Sequence, residues 1–232
     1  MENTKVISVF GIERADYPYF LTKVFEKKKC RILLIDNSCS HDLFLSQRRE
    51  DKEADYVEHG TTIFMRNKYV EPEKAGAFEK FDIVIIYHGY NIDYDLLGMS
   101  DAVILQTDFL PANLQCLKEN VDMEYINSIN KESLFVVYRD KAGKVSEQYI
   151  LRHIGLTGIE NEYPIFFDEG NYNAYLSYCY NGTQDIRGLT PEFKSALNAV
   201  KTFLFGNEKK LPSIKIGKAG EKNDHIGQGY RQ

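Results

Sequence analysis

The sequence predicts an α/β fold: a doubly wound, mostly parallel sheet with helices on both faces, three layers in all. Two observations carry this. Six short apolar runs are continuous rather than alternating in and out, the pattern of strands covered on both faces. Segments with helical spacing separate them, so strand, helix and strand repeat along the chain and imply right-handed crossovers. With 232 residues and 43% hydrophobic content, the chain is long enough to bury one substantial core.

The strands read in order as "KVISVF" (5–10), "RILLID" (31–36), "FDIVIIY" (81–87), "DAVILQT" (101–107), "SLFVVY" (133–138) and "EYPIFF" (162–167). Helical spacing falls at 17–28, about 71–80, 111–127 and 146–154. In the last of these, Ser146 precedes the helix as an N-cap and Gly155 stops it. Two closing helices follow, "NYNAYLSYCY" and "TPEFKSALNAVKTFLF". The second opens with Thr190 as cap and Pro191 at the first helical position. Its stripe of Phe193, Leu197, Val200 and Leu204 is a core-facing side. Residues 1–205 therefore form a single domain. From Gly206 the glycines scatter and no period survives, so 206–232 reads as a flexible tail. The mixed-sign run "SQRREDKEADYVEHG" reads as a solvated surface loop or helix.

Composition narrows the function. A net charge of -5 provides no field to gather a polyanion, which argues against nucleic-acid binding by the whole surface. No apolar run reaches the roughly 18 residues that span a bilayer, and the N-terminus lacks a cleavable signal pattern, so a cytoplasmic protein is expected. Cys30, Cys39, Cys116 and Cys179 form no CxxC pair and read as reduced structural thiols. The five histidines form no HxxxH or HxH pair, so no metal site is expected. "NGT" at 181–183 reads as an ordinary turn.

The pieces "VISVFG", "RILLIDNS", "FDIVIIYHG", "SDAVILQTDFLPANLQCLKE" and "YPIFFDEGNYNAYLSYCYNG" follow one another with the spacing of a known set of landmarks. In order, they resemble those of the MinD/ParA type of P-loop ATPase, including its pilus-localising CpaE/TadZ branch. The resemblance covers residues 5–205 and implies a P-loop NTPase-like three-layer architecture. It also locates the departures. The family's phosphate loop reads roughly GGxGKTT after the first strand, whereas here Gly11 is followed by "IERADYPYF". Glycines let backbone N–H groups converge on phosphate, lysine reaches its oxygens, and a Ser/Thr hydroxyl holds magnesium. At the lysine position stands Pro18, and at the hydroxyl positions Tyr19 and Phe20. Tyr87 takes the place of the magnesium-linked aspartate and Tyr138 that of the base-reading asparagine. Only Gly11 and Asp36 remain of the family's set, Asp36 as a loop anchor.

The expectation is therefore a non-catalytic pseudo-ATPase, with no nucleotide or other cofactor, acting as a scaffold or localisation factor for pilus or secretion machinery. Two alternatives stand beside it: an ATP-binding protein or ATPase with a non-standard phosphate loop, and a DNA partition-type protein. The resemblance implies protein partners and a homodimer, here joined by Tyr17, Tyr19, Tyr87 and Tyr90 instead of nucleotide, with any membrane contact made peripherally through a partner. "YHGYNIDYD" gathers His88, Tyr90, Asp93 and Asp95 at a strand's carboxyl end. They read either as an acid/base site or as plugs and helix caps, the latter preferred. Cys39 and His41 read as structural, and Lys27, Lys28, Lys29 and Arg31 as cations complementing a helix end.

Overall fold

The computed structural model describes residues 4–47, 56–66, 78–181 and 186–206. Its strands are β1 (Lys5–Gly11), β2 (Ile32–Asp36), β3 (Tyr56–His59), β4 (Thr62–Arg66), β5 (Ile83–Gly89), β6 (Ala102–Thr107), β7 (Leu134–Lys141) and β8 (Asn161–Phe166). They form one sheet in the order β3-β4-β2-β5-β1-β6-β7-β8, parallel throughout except for the antiparallel edge pair β3–β4. The apolar runs of β1, β2, β5 and β6 lie at the centre and are almost wholly buried, as strands covered on both faces must be.

The helices are α1 (Asp16–Glu26), α2 (Asp42–Leu45), α3 (Tyr94–Gly98), α4 (Pro111–Asn120), α5 (Met123–Ser128), α6 (Glu147–Ile154), α7 (Glu169–Asn181) and α8 (Pro191–Phe205). One face of the sheet, including Ile7, Val9 and Leu34, packs on α1, α2, α7 and α8. The other face, including Val6, Phe10, Leu33 and Val103, packs on α3 to α6. The three layers follow from this division. Phe193, Leu197 and Val200 of α8 are fully buried, and Leu204 packs partly against the same core.

Several elements differ from the sequence reading. The helix expected over 111–127 breaks at Val121, which is extended (φ -119°, ψ 127°), and restarts at Asp122. Residues 56–66 are a hairpin added to the sheet edge, where a solvated loop or helix was expected across 46–60. Of the helix expected at 71–80, Phe78–Lys80 form a single 3₁₀ turn and the rest lies outside the described residues. Most of "NGT" and of the tail lies there too. All four cysteines are free.

Candidate functional site: the carboxyl edge of the sheet

In an open α/β sheet, ligands sit beyond the carboxyl ends of the strands, where chain order reverses. Here β1 is flanked by β5 and β6, and the ends of β1, β2, β5 and β7 carry Gly11, Asp36, Tyr87 and Arg139. Gly11 is required by close packing: at its φ of 104°, a Cβ would stand 2.1 Å from the Gln106 carbonyl oxygen. The next residue, Ile12, donates its N–H to that same carbonyl (3.0 Å).

Ile12 to Ala15 join β1 to α1 without a glycine, and none of these residues has a positive φ. Converging N–H groups need alternating right- and left-handed residues, so this loop forms no phosphate nest. At the helix start, where an anion is best received, the chain supplies its own: Asp16 Oδ1 accepts the Tyr17 N–H at 2.9 Å. Arg139 grips the same carboxylate with both terminal nitrogens, at 2.9 and 2.5 Å, and stacks 4.8 Å over the Phe193 ring. Burial alone would raise the Asp16 pKa, but the Arg139 charge and its hydrogen bonds outweigh that and hold it below the ordinary carboxylate value. The pair lies 123 residues apart in sequence, and sequence reasoning missed it. The available signals were an arginine ending the apolar run "FVVYRD" and an aspartate opening an aromatic helix.

A cavity of about 390 Å³ opens beside this pair, lined by Glu13, Arg14, Asp16, Asp42, Arg139, Asp140 and Asp168 among others. Arg14 is committed to Asp140 (2.6 Å), as Arg139 is to Asp16. Glu13, Asp42 and Asp168 have no cationic partner among the described residues. Asp42 is pushed up to about 6, first by burial and then by neighbouring Asp36. A triphosphate entering here would meet carboxylates facing it and both cations already engaged. No group of three His, Cys, Asp or Glu among the described residues is placed to hold a metal ion. The residues present do not fit a magnesium–nucleotide complex.

The aromatic residues singled out from sequence fill space but do not form a surface. Tyr17, Tyr19, Tyr87 and Tyr138 are completely buried. Tyr17 stacks on Phe193 and donates to the Ala196 carbonyl (3.3 Å). Tyr19 lies against Tyr178 with ring centroids 3.6 Å apart, and Tyr138 donates to Glu162 at 2.7 Å. Pro18 is also buried, in the first turn of α1, where its missing N–H costs no helical bond. A dimer joined by Tyr17, Tyr19 and Tyr87 is therefore excluded as drawn from sequence: rings already packed inside one copy cannot cover another. Tyr90 is partly buried against the α4–α6 side.

His88 is a buried plug. Its Nδ1 accepts the Asp93 N–H (3.4 Å) and its Nε2 lies 3.1 Å from Ser8 Oγ, which in turn contacts Ser100 Oγ at 2.8 Å. Burial pulls it down to about 4, so at neutral pH the ring is uncharged. Asp93 caps α3 by accepting the Leu96 N–H (3.0 Å), as a plug-and-cap arrangement requires. Asp36 anchors its loop: Oδ1 accepts from the Ser38 hydroxyl (2.6 Å) and Oδ2 from the Phe44 N–H (2.8 Å). His41 Nδ1 lies 3.2 Å from the Asp36 carbonyl, while the exposed Cys39 donates its N–H to Glu13.

With the chain's topology and edge defined, its likeness to solved structures is clear. The ParA-family ATPase of Chlorobium tepidum matches with a TM-score of 0.61 at 14% identity, over 87% of this chain and 98% of that one. The chain has the MinD/ParA fold. A chain of the MinC:MinD cell division protein complex of Aquifex aeolicus superposes with a TM-score of 0.62 at 11% identity, over 90% and 98% of the two chains. An McdA–ATP complex from Cyanothece matches at 0.58 and 14%, over 87% and 96%. No protein-family model and no curated protein matches the sequence. By the resemblance drawn from the sequence, the β1–α1 connection is the position of the phosphate loop; here the helix that follows it opens on Asp16, paired with Arg139 from β7.

Proposed function

We propose that this chain is a non-catalytic pseudo-ATPase on the MinD/ParA fold. It acts in the cytoplasm as a scaffold or localisation factor for an assembly such as pilus or secretion machinery, as in the CpaE/TadZ branch. The observation that carries this reading is the internal ion pair at the start of α1: a carboxylate holds the anion seat, and the arginine that faces it is spent on it. Loss of the nest, the lysine and the metal ligand together removes the interactions on which phosphoryl transfer depends, since that chemistry rests on positioning and charge stabilisation. What remains is a rigid α/β body whose work is done through protein partners, a second copy of itself among them. That a MinD is seen in complex with MinC supports a partner-docking use of this fold. No described helix is long and apolar enough to cross a membrane, which fits membrane contact made through a partner.

Thermal unfolding with magnesium and ATP, ADP or GTP tests the reading. A nucleotide present at 100 times its Kd would add about 2.7 kcal/mol of stability. The expected result is an unchanged Tm; a saturable rise with any of the three overturns the proposal.

A further inference from the structure

The cavity beside the Asp16–Arg139 pair is unbalanced in charge. Five carboxylates and two guanidiniums line it, so negative charge is in excess by three, and both guanidiniums are paired, Arg14 with Asp140 and Arg139 with Asp16. The excess rests on Glu13, Asp42 and Asp168. Each of these is held through one oxygen only. Glu13 Oε1 accepts the Cys39 N–H (3.2 Å), Asp42 Oδ1 accepts the Leu43 N–H (2.9 Å) and the Ser40 hydroxyl (3.2 Å), and Asp168 Oδ1 accepts the Gly170 and Asn171 N–H groups. The second oxygen of each has no partner among the described residues. Burial and the neighbouring Asp36 hold Asp42 up at about 6, the mark of a carboxylate short of counter-charge.

A cluster of acids does not by itself make a site, but two buried polar groups beside this one are also unmatched. Arg139 stands on the cavity wall, only 1% exposed, and its Nε–H finds no acceptor among the described residues. Tyr87, wholly buried at the end of β5, has a hydroxyl with no partner there either, although Asp42, Glu13 and Asp16 of the cavity wall are among the charges that act on it. Buried donors are normally matched, so these two call for a group that enters from the cavity. The remaining wall is aromatic: Phe167 and Tyr172 are exposed and Tyr175 is partly buried.

From these features we propose that the cavity binds a small hydroxylated organic diamine of the aminocyclitol or aminosugar class. Its ammonium groups pair with the second oxygens of Glu13, Asp42 and Asp168, a hydroxyl accepts from Arg139 Nε and meets the Tyr87 phenol, and its carbon frame rests on the aromatic wall, where a cation is also favoured. The volume of about 390 Å³ suits a molecule of this size, since small-molecule sites run from about 300 to 1,000 Å³. A metal ion does not answer to the same features, because no three of the described carboxylates are placed to share one. An alkyl diamine without hydroxyls leaves Arg139 Nε unmatched, and a neutral polyol leaves the carboxylates unpaired. The inference rests on the proposed function in one respect: the cavity that takes this cation takes no triphosphate.

Titration calorimetry on the full chain, without nucleotide and at physiological ionic strength, tests it with three probes: deoxystreptamine, which carries two amines and several hydroxyls, diaminocyclohexane, which keeps only the amines, and inositol, which keeps only the hydroxyls. Deoxystreptamine should bind saturably with one site per chain, diaminocyclohexane several-fold more weakly, and inositol not at all. In Glu13→Gln/Asp168→Asn the deoxystreptamine Kd should rise by about tenfold or more, since two charge-assisted contacts are lost. Each amide keeps an oxygen for the backbone N–H groups that its acid now accepts, so the fold is retained. The proposal is overturned if deoxystreptamine does not bind, if inositol or diaminocyclohexane binds equally well, or if the double variant binds like the wild type. Any of these leaves an unmoved nucleotide Tm, and the reading built on it, standing. A Tm rise with nucleotide, measured without amine, strikes that reading and is a separate result.

Discussion

At the scale of single residues, the deciding feature is a buried charge with one ion-pair partner among the described residues. Asp16 and Arg139 are 6% and 1% exposed, and each neutralises the other at the helix start. Arg139→Met should therefore cost about 3–5 kcal/mol, because it leaves a buried carboxylate without its ion-pair partner. Asp16→Asn combined with Arg139→Met should recover much of that loss, since no charge then stays stranded. Urea midpoints of the two variants check this; a double variant no more stable than Arg139→Met alone would show that the pair's charge is not what matters. Sequence showed half of this site. The missing glycines and Pro18 are visible in "GIERADYPYF", because local backbone chemistry is written locally. The buried ion pair at the start of α1 is assembled from β7 and α1, and no spacing rule joins residues so far apart. The tyrosines differ from expectation for a related reason: whether a ring on α1 or near the end of β5 faces solvent or core depends on what packs against it, here α7 and α8 among others.

At the scale of elements, continuous apolar runs located all six strands they were expected to form, because strands covered on both faces admit no polar alternation. The elements that went unread have weaker or misleading patterns. β3 alternates exposed and half-buried residues at the sheet edge, behind a highly charged stretch, so its burial is too slight to mark a strand. The break between α4 and α5 is hidden by helical periodicity that runs on through 111–127. Its signal is a single residue: Asp122 accepts the Glu124 and Tyr125 N–H groups, both at 3.0 Å, and so starts a new helix. Asp122→Ala should cost about 1 kcal/mol by leaving those donors without a side-chain acceptor, whereas Asp122→Asn should cost less. Denaturation midpoints of the two variants compare them directly; equal losses would locate the cost in charge and not in capping.

For the molecule as a whole, titratable groups at the carboxyl edge push stability in opposite directions as the solution is acidified. His88 has its folded pKa lowered to about 4 from an ordinary 6.5 by burial, with Asp93 and a backbone hydrogen bond to Asn91 pulling the other way and the Ser8 and Ser100 hydroxyls beyond. Above pH 6.5 the ring is neutral in folded and unfolded chains alike. As pH falls from there towards 4, only the unfolded chain takes up the proton, and stability drains away, by about 3 kcal/mol in all at 1.36 kcal/mol per pH unit. Asp42, raised to about 6 by burial and by Asp36, works in the opposite sense: over the same window the folded state binds the proton first and gains. Asp36 is raised as well and adds to that gain, while Asp16 is lowered and loses stability only below the ordinary carboxylate range. The opposing effects should leave the wild-type profile shallow between pH 7 and 4.5. His88→Gln keeps a donor towards Ser8 but cannot titrate, so whatever its absolute stability, its profile should rise towards acid. Asp42→Asn should do the reverse and steepen the fall. Urea unfolding of the three proteins across this range separates the two effects, and parallel profiles for wild type and His88→Gln would mean that the buried imidazole is not the group resisting protonation.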